Sequence, residues 1–331
     1  APEGAVSHVR NVPGGDDCAA MLRALVACGS AHGDEIRGGL FPHGADRFDA
    51  GIAGTTSRFL TAAAALSPSG IVIDGGDPLR RRPMADLHEA LRHLGVRVDA
   101  VDGAAPGHLP VRVSGGDLVG GSVAIRGDVS SQFISALMLV GPVMRDGLRI
   151  SVSGTLVSRP YVEMTAEVMR AFGAQVEIDS DLITVHPGAY HRTDYEVEPD
   201  FSSAAFAVMS LAFSPGRVRV PRLHTAMLQG DSLVLDIART MGMTVAFDGD
   251  DVLVEVSPGT ILSPVSVNLS DASDLVPAVV VACTAIPGVS TISGVGFIRA
   301  KESDRLGDLA SELNDAGASV TVTRSEEHTS E

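Results

Sequence analysis

The chain has 331 residues, with 25 Lys plus Arg against 41 Asp plus Glu, a formal charge of −16. That acidity argues against a general binder of nucleic acid or anionic membrane, either of which draws its affinity from a net basic surface. The 45% hydrophobic content marks a globular chain long enough for two domains, and 4% aromatics with no Trp leave little for base-stacking or sugar-stacking platforms.

From Ala1 a turn-rich segment leads into a helical pattern at Met21, Leu22, Leu25 and Val26 that stops at Gly29. The segment Gly51 to Leu60, GIAGTTSRFL, sets Gly54 before a hydroxyl pair and Arg58, a glycine turn opening a helix. In Leu79 to Met84, LRRRPM, three arginines precede a helix opened by Pro83, with Met84, Leu87, Leu91 and Leu94 on one face before Gly95. Like charges at the positive end of a helix dipole are unfavourable unless an anion joins them; a solvated charge run is the plain alternative for Arg80, Arg81 and Arg82.

Gly127 to Leu137, GDVSSQFISAL, offers Ser130 and Ser131 as helix caps and Gln132 in the first turn. Hydroxyls, an amide and free backbone N–H groups make a neutral phosphate cradle, although an ordinary cap reads equally well. Pro160 opens the next helix, Met164, Val168 and Phe172 form its expected buried stripe, and Gly173 closes it. Near Glu196 to Asp200 a polar extended run with Pro199 meets a new helix start, a natural domain boundary.

Asp274 precedes an apolar run, Leu275 to Val289, of 15 residues broken by Pro277 and Pro287, shorter than the roughly 20 a bilayer span needs. Its carboxylate is read as a cap or as a base able to pair with the cluster Lys301 to Arg305, KESDR. Lys301 is the one lysine beside 24 arginines. A lysine kept for charge alone would have become Arg here, whereas a compact titratable ammonium is what Arg cannot replace. If this turn is helical, Lys301 and Arg305 face the same way with Glu302 between them.

A unit recurs along the chain: an amphipathic helix, a glycine, then alternating valines. Its copies end at Gly29, Gly95, Gly173, Gly242 and Gly317, spaced by 66, 78, 69 and 75 residues, too far apart for a solenoid period of about 20 to 50. Two domains of three units each would add a sixth.

In order, AGTTSRFL, LRRRPM, SSQFISAL, SRPYVEMT, EPDFSSAAF, QGD and KESDRL resemble the motif series of the 5-enolpyruvylshikimate-3-phosphate (EPSP) synthase family over residues 5 to 323. The resemblance implies a mixed α/β, two-domain enolpyruvyl-transferase fold, each domain made of three βαβαββ-like units with threefold pseudosymmetry, closing on substrates at a hinge. The expected domains are 1–197 on the shikimate-phosphate side and 198–323. The implied reaction, part of chorismate and aromatic amino acid biosynthesis, moves the enolpyruvyl group of phosphoenolpyruvate to the 5-hydroxyl of shikimate 3-phosphate and releases phosphate. By the same resemblance, Ser130, Ser131, Gln132, Ser158, Tyr161, Asp274 and Lys301 hold shikimate 3-phosphate, and Gly54, Arg82, Gln132 and Arg305 hold phosphoenolpyruvate. Asp274 acts as base, and Lys301 and Glu302 manage protons at the reacting carbons. The family is the glyphosate target, and the turn around Gly54 to Phe59 is where the resemblance sets determinants of sensitivity.

The departures are specific. The family's opening Gly-Ser-Lys-Ser segment would lie before Ala1, and its late Asp-His-Arg motif and final lysine after Val322, so the first unit is expected to be incomplete, the last missing and turnover impaired. Residues 324–331, RSEEHTSE, resemble the translation of a sequencing adapter and are set aside. Ile52 and Phe297 stand where other members carry Asn and a polar residue. The alternatives are a UDP-N-acetylglucosamine 1-carboxyvinyltransferase, whose reactive loop cysteine has no counterpart here, and a phosphate-binding scaffold without catalysis.

The ten histidines show no metal-ligand spacing, and neither a Walker loop nor a dinucleotide fingerprint occurs, so no metal or cofactor is expected. Cys18, Cys28 and Cys283 read as reduced thiols. With no signal-peptide pattern at the start, a cytoplasmic monomer without nucleic-acid or membrane partners is expected.

Overall fold

The structure is a computed structural model that describes residues 2–39, 44–223, 228–301 and 303–323, and the side chains of these except Ala300. The chain divides into two units, Ala1–Val197 and Glu198–Glu331. Glu302 and residues 324–331, both singled out in the sequence, lie outside the described residues.

In unit 1 the elements run β1 (Val6–Arg10), α1 (Asp16–Ala27), β2 (Ala31–His32), β3 (Glu35–Arg37), β4 (Arg47–Asp49), α2 (Gly54–Ala64), β5 (Ile71–Asp74), α3 (Asp77–Arg80), α4 (Ala85–His93), β6 (Arg97–Ala100) and β7 (Val111–Ser114). They continue with β8 (Gly121–Arg126), α5 (Ser131–Val140), β9 (Leu148–Ser153), α6 (Arg159–Ala171), β10 (Val176–Asp179), β11 (Leu182–Val185) and β12 (Tyr195–Glu196). Unit 2 holds α7 (Phe201–Met209), β13 (Gly216–Val220), α8 (Leu233–Met241), β14 (Thr244–Asp248), β15 (Asp251–Val256), β16 (Ser266–Asn268), α9 (Val276–Cys283), β17 (Thr291–Ser293) and α10 (Arg305–Asp315).

Three four-stranded sheets in unit 1 share one plan, a parallel pair followed by two antiparallel neighbours: β4-β5-β7-β6, β8-β9-β11-β10 and β12-β1-β3-β2. In the first two, chain order is strand, helix, strand, helix, hairpin, with the short α3 added before α4 in the first. In the third, β12 takes the leading position from far along the chain, pairing Val9 with Tyr195. Unit 2 repeats parts of the plan, with β13-β15-β14 antiparallel and β16 parallel to β17 across α9.

All five glycines of the repeat end helices in the left-handed region, φ from 70° to 99°. After each, the following N–H reaches back five residues, as Ser30 to Leu25, Val96 to Leu91, Ala174 to Met169, Met243 to Ala238 and Ala318 to Leu313, at 2.8 to 3.0 Å. This Schellman closure needs positive φ at the glycine, where a Cβ would cost about 1 kcal/mol or more.

The helices α2 and α5 are buried nearly all round and pack on each other. Small residues in GTTSRFLTAAA let α2 approach closely, and the unbroken apolar run of SQFISALMLV fills the space between layers. Other helices bury different faces from those the apolar pattern marks. In α1 the buried residues are Ala20 and Ala24, with Val26 exposed. In α6 they are Val162, Ala166 and Met169, while Met164, Val168 and Phe172 are half-buried and the Phe172 ring lies 5.6 Å from that of Tyr195. In both cases an alanine stands on the buried face, with Met169 beside it in α6. Pro83 falls just before the Met84 cap of α4 rather than in its first turn. The apolar run after Asp274 forms α9 and packs in the core of unit 2. No helix among the described residues is long and apolar enough to cross a membrane.

Candidate functional site

Parallel pairing puts the C-terminal ends of paired strands at one edge, where the chain turns into helix N-termini that present unpaired N–H groups. In unit 1 the aligned ends are Asp49 with Asp74 and Arg126 with Ser153. These four ends lead to Gly54, to Arg82, to Ser130–Gln132 and to Ser158–Tyr161 respectively, so every unit-1 residue of the sequence-derived set lies just past a parallel strand.

At the first pair of ends two buried arginines converge. A Cβ on Gly54 would overlap a terminal nitrogen of Arg82 and stand 2.9 Å from one of Arg58. Glycine therefore admits both guanidinium groups against the first turn of α2, which carries no side-chain cap. Arg58 donates to Gln132 Oε1 and lies 5.0 Å from the centre of the Phe133 ring. Two cations at a helix N-terminus form a site whose electrostatics favour an anion.

The three consecutive arginines divide. Arg80 binds Asp74 through two bonds of 2.9 Å, Arg81 is exposed, and Arg82 is 5% exposed beside Gly54. Asp74 also accepts from Arg47 at 2.6 Å and from the Gly75 N–H at 2.7 Å. Burial raises the Asp74 pKa and is its largest single influence, but Arg80, Arg47 and Gly75 together outweigh it and hold the carboxyl at about 2. Asp74 thus anchors the loop that delivers Arg82.

At the second pair, Ser130 is the cap of α5 and accepts from Gln132 N at 3.3 Å, while Ser131 is the first helical residue. The loops before α5 and α6 are tied by Gly127 N to Ser153 O at 2.9 Å and Val157 N to Gly127 O at 3.2 Å, and the helices by Ser135 and Thr165 hydroxyls at 2.8 Å. Ser158 caps α6 with φ 56°, ψ 39°, and makes no side-chain cap bond. A serine held in the left-handed region is a strained feature of the sort that collects at binding sites. Tyr161 follows in the first turn of α6, its N–H bonded to Ser158 O at 3.1 Å.

In unit 2, β16 leads through a 3-10 turn, Ser273–Leu275, to Asp274, and β17 leads through the 3-10 turn Gly296–Ala300 to Lys301 and α10. Arg305 donates to Asp274 at 2.7 Å, so Asp274 is an ion-pair partner and not a helix cap. Lys301, with φ −83° and ψ −147°, is not helical, so the condition for it to share a helical face with Arg305 is not met. The cap of α10 is Asp304, which accepts from Gly307 N at 2.9 Å and from Arg299 at 2.9 Å; these N–H donors, Gly307 first, lower its pKa. The Lys301 ammonium stands 5.8 Å from the centre of the Phe297 ring.

The motifs EPDFSSAAF and QGD brace one another. Gln229 accepts from Phe201 N at 2.9 Å, Asp200 from Ser202 N and Ser203 N at 3.0 and 3.2 Å, and Asp231 from the Ser202 hydroxyl. Side chains thus satisfy the start of α7, unlike those of α2 and α6. Sequence reasoning left Arg58 out of the candidate set; its position one helical turn after Gly54 was the available signal. The described residues contain no group of three or more His, Cys, Asp or Glu able to hold a metal, and Cys18, Cys28 and Cys283 form no disulfide with one another.

Repeated mixed units with cations and hydroxyls at the ends of parallel strands define the class of two-domain enolpyruvyl transferases. Residues 2–330 match the family described as EPSP synthase (3-phosphoshikimate 1-carboxyvinyltransferase). The chain is 39% identical over 325 residues to the 3-phosphoshikimate 1-carboxyvinyltransferase of Methanothermobacter thermautotrophicus, covering 96% of this chain and 75% of that protein. The enzyme of the same name from Methanosphaera stadtmanae is 38% identical over 275 residues, 81% of this chain and 63% of that one, so this chain spans less than two thirds of its length. In fold it is similar to the EPSP synthase of Acinetobacter baumannii, with TM-score 0.74 at 23% identity, covering 97% of this chain and 75% of the other. The chain belongs to the EPSP synthase family, whose members are carboxyvinyltransferases of the shikimate pathway.

Proposed function

We propose that this chain transfers the carboxyvinyl group of phosphoenolpyruvate to the 5-hydroxyl of shikimate 3-phosphate and releases phosphate. The observation that carries the reading is the pair of buried guanidinium groups, Arg82 and Arg58, admitted by Gly54 to the start of α2. It is a buried dicationic site suited to an anion such as phosphoenolpyruvate. Gln132, held by Arg58, borders it and joins it to the α5 and α6 starts, where Ser130, Ser131, Ser158 and Tyr161 supply hydroxyls for a sugar-like ring and its phosphate.

The family resemblance names Asp274, Lys301 and Glu302 as the acid and base groups. Asp274 takes the proton of the 5-hydroxyl as its oxygen attacks C2 of phosphoenolpyruvate, and the methylene carbon gains a proton from Lys301 or Glu302. The tetrahedral adduct then loses a methyl proton and phosphate leaves, so atoms balance without a redox partner. Arg305 has five N–H donors and can hold phosphoenolpyruvate while it still bonds Asp274. We read the protein as a cytoplasmic monomer, supported by its scattered free thiols and net negative charge.

The test is phosphate release from phosphoenolpyruvate by this chain with each acceptor. Release that requires shikimate 3-phosphate is the expected result. Release only with UDP-N-acetylglucosamine, or with neither acceptor, overturns the reading.

A further inference from the structure

We propose that Gly127 is a positioning residue for the phosphorylated acceptor, its missing side chain letting the loops that open α5 and α6 lock into one cradle. The consequence for binding rests on the reading of Ser130, Ser131 and Ser158 as acceptor groups. Gly127 follows the last residue of β8, and both of its backbone polar groups are spent on the neighbouring strand and loop. It donates to Ser153 O at 2.9 Å and accepts from Val157 N at 3.2 Å. The tie therefore falls just before the Ser130 cap of α5 and just before the Ser158 cap of α6.

Space, not backbone freedom, makes glycine necessary here, since Gly127 does not occupy the left-handed region. A Cβ on it would stand 2.7 Å from Val152 Cγ1, 3.0 Å from Leu156 Cα and 3.2 Å from Leu156 N. Two of these are backbone atoms, and the third belongs to a buried β-branched residue that is stiff at χ1. None yields without moving β9 or the loop after it. Ser158 makes that movement matter. A serine at φ 56° keeps its conformation only while the surroundings over-determine it. Those surroundings are Val157 N–H on Gly127 O before it and, after it, Arg159, which donates to Ser180 O at 3.2 Å and to Glu163 at 2.8 Å. A displaced loop carries Ser158 away from Ser130, and a ligand held at both caps loses one of them. The first pair of strand ends has a tie of its own, Ala50 N–H on Asp74 O at 2.9 Å and Gly76 N–H on Gly51 O at 2.7 Å. Disturbing Gly127 should thus affect one substrate and spare the other.

Amide exchange followed by NMR, calorimetry and steady-state kinetics test the proposal together. In the parent chain, saturating shikimate 3-phosphate is expected to slow exchange of the Val157 N–H about tenfold or more, because a ligand that binds only the tied state stabilises it. Gly127→Ala is expected to speed that exchange without ligand and to raise Kd for shikimate 3-phosphate about tenfold or more, with KM for phosphoenolpyruvate changed less than about threefold. Adding Val152→Ala, which removes the nearest of the three atoms, recovers part of the affinity. Parental Val157 exchange or parental acceptor affinity in Gly127→Ala overturns the proposal, as does a fall in kcat with KM unchanged for both substrates, the mark of a merely structural loss. A parent chain that does not bind shikimate 3-phosphate overturns the acceptor reading beneath it, and the ligand-free exchange comparison then decides the tie alone. If Gly127→Ala does not fold, the parent decides: Val157 exchange unslowed by bound shikimate 3-phosphate overturns the proposal.

Discussion

Gly54 exerts its influence through what it leaves out, a side chain. Substituting Gly54→Ala puts a methyl group onto the Arg82 guanidinium and close to that of Arg58. Arg82 is buried and cannot swing into solvent, so the anion site loses its shape. The expected outcome is a rise of about tenfold or more in KM for phosphoenolpyruvate, since displaced charge-assisted bonds are worth about 1.5–3 kcal/mol each, together with a lowered melting temperature from the clash. Steady-state kinetics at saturating shikimate 3-phosphate checks it. At this scale the sequence was informative where chemistry was unusual. A lone lysine, three arginines before a helix and a glycine before hydroxyls could all be found by eye. Charge alone could not tell the three arginines apart, because Arg80 is held by Asp74, a carboxylate six residues earlier in a different element; Arg82 was named through the family resemblance.

Elements decide which residues meet. Asp74, at the end of β5, anchors both the strand before α2, through Arg47, and the loop that carries Arg82, through Arg80. Its folded pKa of about 2 lies below the ordinary 3.8, so its contribution is complete above pH 4 and is lost as pH falls through 2. That shift corresponds to about 2 kcal/mol of stability at neutral pH. Asp74→Asn should therefore lower the urea midpoint at pH 7 and flatten its decline between pH 4 and pH 2; an unchanged acid limb would show that Asp74 is not the anchor. Helix stops were legible because a glycine in the left-handed region has a local cause. Buried faces were not: α1 buries Ala20 and Ala24 and α6 buries Val162, Ala166 and Met169, one position or more away from the larger apolar residues that mark the stripe in sequence. The helical turn on which a shared face of Lys301 and Arg305 depended is not formed, because the Asp304 cap starts the helix three residues after Lys301.

The fold as a whole combines a repeat that the sequence announces with a closure that it hides. Five glycine-terminated helices mark the units, yet β12, two residues of polar composition, completes the sheet of β1 from nearly the opposite end of unit 1. Nothing periodic marks so short a strand, and its place follows from a register that exists only after the rest has folded. Unit 1 also encloses a cost. His88 of α4 is 1% exposed, neither ring nitrogen has a hydrogen-bond partner among the described residues, and burial, then Arg92 and His108, push its pKa down to about 4. A histidine kept neutral in the fold stabilises it fully above pH 6.5 and progressively less as pH falls toward 4, a loss approaching about 3 kcal/mol. His88→Leu should remove most of that slope in a urea titration series at pH 7 to 4; an unaltered slope would mean that the ring is solvated.

The central claim is that the α5 and α6 starts hold the phosphorylated acceptor, and calorimetric titration of the chain with shikimate 3-phosphate tests it most directly. The account predicts saturable one-site binding that weakens about tenfold or more when Ser131 and Ser158 are both replaced by Ala, with the fold retained. Absence of binding, undiminished binding in the double variant, or binding of UDP-N-acetylglucosamine in its place would contradict it.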